Sequence, residues 1–237
     1  MAGKESLKSS FVEIVKSMIL SGTLKSGDKL PPERVFAKEV GMSRGSINQG
    51  VLDLERMGFV TIVPRKGTYV TDYTKKATPE TLGAIMSYDS SLIAPEIFKD
   101  FMELRVLIER ECVRLCCLKV TDPVMDELEK KTEAILLAED FETAAEAIYE
   151  YHRFIAEISG NGAYYMVFQS FEKMIRNLIR EHYTSRAELD ESIPLYRALT
   201  DAIKMRDENE ADMRMQNILQ RASEYLNAHL KEKEKRA

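Results

Sequence analysis

The chain has 237 residues, with 34 Lys and Arg against 39 Asp and Glu, a formal net charge of −5 and three cysteines. That length suggests one or two domains, and the acidic total argues against a protein that holds nucleic acid by bulk charge. Cys112, Cys116 and Cys117 fall within one predicted helix; their odd number and clustering argue against a disulfide framework and for a reducing compartment. A CxxxCC helix can be read as metal or redox chemistry, but small apolar packing residues account for it better. There is no 18-residue apolar run, and the start MAGKESLKSS lacks an apolar signal core, so the expectation is a cytoplasmic protein without membrane association.

Taken in order, residues 7–20 predict a first helix, with Phe11, Val12, Val15, Met18 and Ile19 on one stripe and Gly22 ending it. A loop leads to a short strand at Lys29–Leu30. Pro31 and Pro32 open a second helix, where a missing N–H costs nothing, and Glu33 adds negative charge to its first turn. Gly41 supplies a turn, Ser43 can cap a third helix, and Ile47, Val51 and Leu54 recur at i, i+4 and i+7 as its buried stripe. Arg44, Gly45, Ser46, Asn48 and Gln49 lie near that helix's start and are small or hydrogen-bonding, the kind of side chain that approaches base edges. FVTIV, the turn PRKG and TYV then read as a β-hairpin with Arg65 and Lys66 at its tip. Together these elements spell a winged helix-turn-helix.

Charge divides along the same line. Residues 1–76 hold 13 Lys/Arg against 8 Asp/Glu, and the remainder 21 against 31. A basic head on an acidic body fits a DNA reader whose body does not wrap on DNA. The polar stretch 72–80, ending near Pro79, reads as a linker, giving a head at 1–72, a linker at 73–79 and a body at 80–237. Everything after the linker is predicted helical, near 80–88, 95–119, 122–138, 140–159, 162–184, 190–206 and 208–233, with Asp122 as an N-cap and Ser159-Gly160-Asn161 as a break. Seven helices can bury a bundle core. The fold class is mostly α: a winged helix-turn-helix followed by an all-α seven-helix bundle.

The motifs GDKLPPER, GMSR, LERMGFV and PRKGTYV resemble the DNA-binding domain of the GntR family of bacterial transcription regulators. FMELRVLIERECVRLCC, YHRFIAEISGN and YRALTDAIKMRD resemble the effector-binding and dimerisation (FCD-type) domain of its FadR-like subfamily. The resemblance implies a homodimer on a double-stranded, palindromic DNA operator, with affinity set by a small-molecule effector in the body, and a repressor as the expected sign. It implies DNA contacts from Arg34, Arg44, Arg65 and Lys66, with Ser43, Ser46 and Gly67 adding hydrogen bonds or close backbone approach. Family members typically have Arg where this chain has Asn48; Arg suits guanine and Asn suits adenine. Gly50 stands where Ala is usual, and helix propensity alone gives no reason for it.

The subfamily also implies a metal site of one Asp and three His. Those positions fall on Ile148, His152, Tyr196 and Ile218, and one imidazole with one phenol cannot hold a zinc ion. No metal and no cofactor is therefore expected, and the effector is expected to be a carboxylate or acyl thioester held directly. His152 and Tyr196 are read either as hydrogen-bonded core residues or as lining of an emptied pocket. Arg105 is read either as the partner of Glu109, four residues on, or as a clamp for an anionic ligand, which the resemblance favours. Asn161 is read as a helix-start residue first and a pocket contact second. No catalytic motif stands out, so an enzyme is not expected. An architectural DNA-binding protein without an effector, or an enzyme using the helical body, remain open as alternatives.

Overall fold

The structure is a computed structural model that describes residues 2–39, 41–86, 88, 93–182 and 186–236; for 2–10, 39, 95, 181, 182, 186, 187 and 224–236 it describes the backbone alone. His182 and His229, two of the three histidines, thus have side chains outside the described residues. The chain divides into two compact units, Met1–Ala94 and Pro95–Ala237.

The first unit holds α1 (Ala2–Leu20), α2 (Glu33–Glu39), α3 (Arg44–Arg56), the antiparallel hairpin β1 (Val60–Val63) and β2 (Gly67–Val70), and α4 (Pro79–Met86). Lys29 bridges Tyr69 and extends the hairpin sheet by one residue pair. The predicted α3 stripe is buried, Ile47, Val51 and Leu54 being at most 3 % exposed. Phe11 of α1 is fully buried and meets Phe36 of α2 edge-on at 5.3 Å. This ring explains Gly50: a Cβ built there would sit 2.4 Å from Phe11 Cδ1. The small residue lets α1 lie flush against α3.

The expected linker at 73–79 lies inside the first unit, and so does the helix after it. The cause is local bonding. Thr81 Oγ1 donates to the Met57 carbonyl at 2.6 Å and accepts from Thr78 N at 2.9 Å. Gly58, in the left-handed region at φ 77°, lets the chain turn beneath Thr81, where a Cβ would meet Oγ1 at 2.8 Å. Thr81 is fully buried with its hydrogen bonds made, as a buried hydroxyl requires.

The second unit is helical among its described residues: α5 (Pro95–Lys119), α6 (Asp122–Leu136), α7 (Phe141–Ile158), α8 (Gly162–Ser170), α9 (Glu172–His182), α10 (Arg186–Lys204) and α11 (Glu208–Arg236). Seven helices are present, though not the expected seven. The helix near 80–88 belongs to the first unit, and the single helix expected at 162–184 is two, broken at Phe171. There the Phe171 N–H bonds back to Phe168 at 3.0 Å, a tighter turn than α, and the buried ring meets Phe101 at 5.9 Å. The N-cap of α6 is Thr121, not Asp122, which is the first helical residue. At the centre α5 packs against α7 and α11. Arg110 of α5 holds Asp212 of α11 through two parallel hydrogen bonds of 2.7 and 2.6 Å. No helix among the described residues is long and apolar enough to cross a membrane.

Replacing Gly50 with Ala should gain about 1 kcal/mol of helix propensity yet destabilise the protein by a net of about 1–3 kcal/mol, because the methyl overlaps a buried ring that has nowhere to go. Urea denaturation measures it, and the penalty should vanish in a Phe11→Ala background.

Candidate functional site

Two places carry the chemistry, one in each unit. In the first, α3 begins with Ser43 as N-cap, its Oγ accepting from Ser46 N at 3.2 Å and sitting 2.9 Å from Ser46 Oγ. Ser46 is only 8 % exposed, and its hydroxyl is engaged with Ser43 at the helix start. Arg34, Arg44, Gly45, Asn48 and Gln49 are exposed. Asn48 Nδ2 donates to Glu33 Oε1 of α2 at 3.1 Å, which fixes the amide's orientation across the helix pair. The reading of Glu33 as a helix-end charge missed this second use, because the two residues meet only when α2 and α3 are packed.

The wing turn is the sharper signal. Lys66 N–H bonds to the Val63 carbonyl at 3.0 Å, closing a turn with Pro64 and Arg65 at its centre. Arg65 has φ 63°, the left-handed region, where this turn type calls for Gly or Asn. A side chain there costs about 1–2 kcal/mol, and such strain marks sites where the side chain is needed. Arg65, Lys66 and Gly67 line a groove of about 320 Å³ together with Pro31, Pro32 and Glu33. The stem of Lys29 packs on Gly67, where a Cβ would meet its Cε at 2.7 Å. Lys29 is thus a wing-edge cation, a place its sequence position, 35 residues before Pro64 of the turn, does not signal.

In the second unit, four side chains from three helices form a buried polar chain. Arg105 Nε of α5 donates to Glu109 Oε1 at 2.5 Å, and Glu109 Oε2 lies 2.5 Å from His152 Nδ1 of α7. His152 Nε2 lies 3.2 Å from the hydroxyl of Tyr196 on α10. All four residues are at most 4 % exposed. Burial would push the Glu109 carboxyl up, but the Arg105 and His152 groups beside it, by charge and hydrogen bond, hold it down to about 2 from 4.5. A carboxylate accepts only, so His152 Nδ1 carries the proton it shares with Glu109.

Arg105, His152 and Tyr196 line a small cavity together with Ile148, Leu178 and Ile218. Its volume, about 20 Å³, has room for roughly one water molecule. Three of the four expected pocket residues are therefore brought together. Asn161 is not among them: it caps α8, its Oδ1 accepting from Ala163 N at 3.1 Å and Tyr164 N at 3.3 Å. Arg105 Nε pairs with Glu109, and the guanidinium also borders the cavity. Glu109 is the residue that sequence reasoning undervalued; its spacing to Arg105 was visible, its bond to His152 was not. The donor set does not fit a metal. Ile148 and Ile218 offer no ligand atom, and among the described residues no three His, Cys, Asp or Glu come together to hold one. Cys112, Cys116 and Cys117 are buried, and burial pushes their thiols up to about 12, 12 and 11, which suits packing rather than thiolate chemistry.

Residues 7–70 match the family described as bacterial regulatory proteins, gntR family, and residues 100–221 match the FCD domain. The chain belongs to the gntR family of bacterial regulatory proteins, in its FadR-like, FCD-bearing branch. It is 25% identical over 221 residues to the HTH-type transcriptional regulator YcbG of Bacillus subtilis, covering 90% of this chain and 86% of that protein. It is 27% identical over 216 residues to the HTH-type transcriptional repressor NanR of Cronobacter sakazakii, covering 87% and 80%. A solved transcriptional regulator (GntR family member) from Pseudomonas syringae shares the fold, with a TM-score of 0.52 at 16% identity over 96% of this chain and 87% of that one. The family and these relatives are transcriptional regulators, not enzymes. As a GntR regulator the chain binds DNA through its head and small molecules through its FCD domain.

Two outcomes follow from this geometry. Arg65→Gly should relieve the turn and stabilise the protein by up to about 1 kcal/mol, while weakening DNA binding and lowering the salt slope by about 1, as the loss of one phosphate contact would. Paired urea melts and salt-dependent binding isotherms measure both. Because the Glu109 carboxyl is held below its unfolded value, its contribution to stability is fully present above about pH 4.5 and is lost as pH falls toward about 2. Urea midpoints across that window should fall less steeply in an Arg105→Met/Glu109→Gln double variant, which has neither charge to lose.

Proposed function

We propose that this protein is a cytoplasmic, ligand-responsive transcriptional repressor that reads a palindromic operator as a homodimer. The observation that carries the reading of the head is the strained wing arginine. A cation kept at a backbone position that favours glycine, beside Lys66 and facing the groove under α2, suits a phosphate contact. Exposed Arg44, Gly45, Asn48 and Gln49 then meet base edges, with Arg34 on the backbone. One head makes few phosphate contacts and binds weakly and salt-dependently; two heads on one body dimer add theirs and impose two-fold symmetry on the site.

The effector enters the cavity bordered by Arg105, His152 and Tyr196, without a metal or other cofactor. A space of about one water does not admit an organic molecule, so binding must spread the helices that line it. That displacement supplies the differential contact through which ligand and DNA are coupled, and release of the operator is the expected sign. NanR, the Cronobacter relative, is a repressor by name, which supports that direction.

Asn48 sets this protein's base preference apart from relatives with Arg at that position. In an operator-library selection, Asn48→Arg should move the preference toward guanine at one base in each half-site, a change of about 1–3 kcal/mol at that position. An unaltered preference at every base would remove Asn48 from the reading surface. Selection of sites without two-fold symmetry would count against the dimeric palindrome.

A further inference from the structure

Glu33 and Asn48 are 15 residues apart in sequence and meet across α2 and α3, where Asn48 Nδ2 donates to Glu33 Oε1 at 3.1 Å. Among the described residues this is the only side-chain partner of Glu33, although Arg65 and Lys66 line the same groove. The pairing is held by the helices beneath it: α2 is seated through Phe36 on Phe11, and α3 through the buried Ile47 and Val51. A carboxylate only accepts, so the end of the amide that faces Glu33 has to be its NH2. An asparagine side chain has two N–H donors and one carbonyl acceptor, and Glu33 takes one of the donors. Asn48 is left with one N–H and one oxygen, side by side in the amide plane. The major-groove edge of adenine offers the N7 acceptor and the N6 amino donor, which match that remainder. Guanine offers two acceptors, N7 and O6, which only the NH2 end of an amide can satisfy. That end is already committed to Glu33, and the carboxylate behind it repels O6.

We propose that Glu33 is a positioning residue for base readout: by binding one N–H of Asn48 it leaves the amide in the sense that reads adenine and rejects guanine. This rests on the reading of Asn48 as a base contact and adds what sets the sense of that contact. Glu33 touches no base in this role. DNA closing over the pair excludes the water that competes for the bond, so the bond is strongest when the base is being read. The device needs an asparagine at position 48. An arginine there has donors only, so a carboxylate beside it could offset its charge but could not choose between an acceptor and a donor for the base.

The test is an operator-library selection with the full-length wild type, Glu33→Gln, Glu33→Ala, Asn48→Ala and the Glu33→Gln/Asn48→Ala double variant. Binding isotherms on the adenine and guanine versions of the selected site follow. Asn48→Ala locates the base, as the position in each half-site whose preference it flattens. The wild type should prefer adenine there. Glu33→Gln keeps the side chain's size but can donate as well as accept, which frees the amide to turn over, and Glu33→Ala removes the partner. Either change should lower the adenine-over-guanine ratio about tenfold at that base and leave the other positions as they were. Removing an anion near DNA also tightens binding to both versions alike, and the ratio cancels that gain. In the Asn48→Ala background, Glu33→Gln should not alter the ratio. Loss of the ratio at that base alone, in either Glu33 variant, supports the proposal. A wild-type preference for guanine there, a ratio that survives both variants, an equal loss at every position, or a Glu33 effect that persists without Asn48 overturns it. If Asn48→Ala flattens no position, the reading of Asn48 as a base contact fails and takes this inference with it; a flattened position indifferent to Glu33 sinks this inference alone.

Discussion

Glu109 takes one hydrogen bond from its own helix and one from α7, and the interior of the helical body depends on that pairing. Arg105 could not be buried there alone, and His152 would have no fixed orientation without an acceptor at Nδ1. The carboxylate meets both demands and ties α5 to α7, while Tyr196 extends the chain to α10. Removing any one member strands the next, because each polar group sits where water cannot replace the lost partner. The apolar wall around them closes on a space of about one water.

The head works by a different constraint, shape. Phe11 is seated on a residue without a side chain, and α1 locks α3 in place by close approach rather than by polar bonds. The Ile62 N–H bonds to Glu55 Oε1 at 2.7 Å, and Thr81 reaches the end of α3 at Met57, so the recognition helix is held from the wing and from α4 as well. Towards its N-terminus that helix leaves Arg44, Gly45, Asn48 and Gln49 exposed. The wing then carries its arginine at a backbone cost that stability alone would not retain. Rigid support beneath a strained, charged tip is what a surface needs when it must meet a duplex of fixed geometry.

Metal chemistry separates this body from what its subfamily resemblance implies. With Ile148 and Ile218 at two of four ligand positions, the polar groups lining the cavity among the described residues are Arg105, paired with Glu109, the His152 imidazole and the Tyr196 phenol. The electrostatic balance of the interior changes with them. Family membership alone therefore leaves the ligand's chemistry open, and the residues of this chain decide it.

Much of the head was legible in the sequence because its signals are local. Prolines at a helix start, a serine cap, a left-handed glycine turn and a hairpin tip each act through short-range sterics and nearby hydrogen bonds. The helices of the body were legible for the same reason, apart from the break at Phe171, where buried aromatic packing overrode a continuous helical pattern. The Arg105–Glu109 spacing was also plain, being one helical turn. Tertiary structure alone decided the rest. It placed the helix after residue 79 on the head, through one threonine hydroxyl. It gave Gly50 its reason in a ring from α1, set Asn48 against Glu33, and joined Glu109 to His152. Each of these depends on which helices lie side by side, and a one-dimensional pattern carries the period of a helix but not the identity of its neighbour.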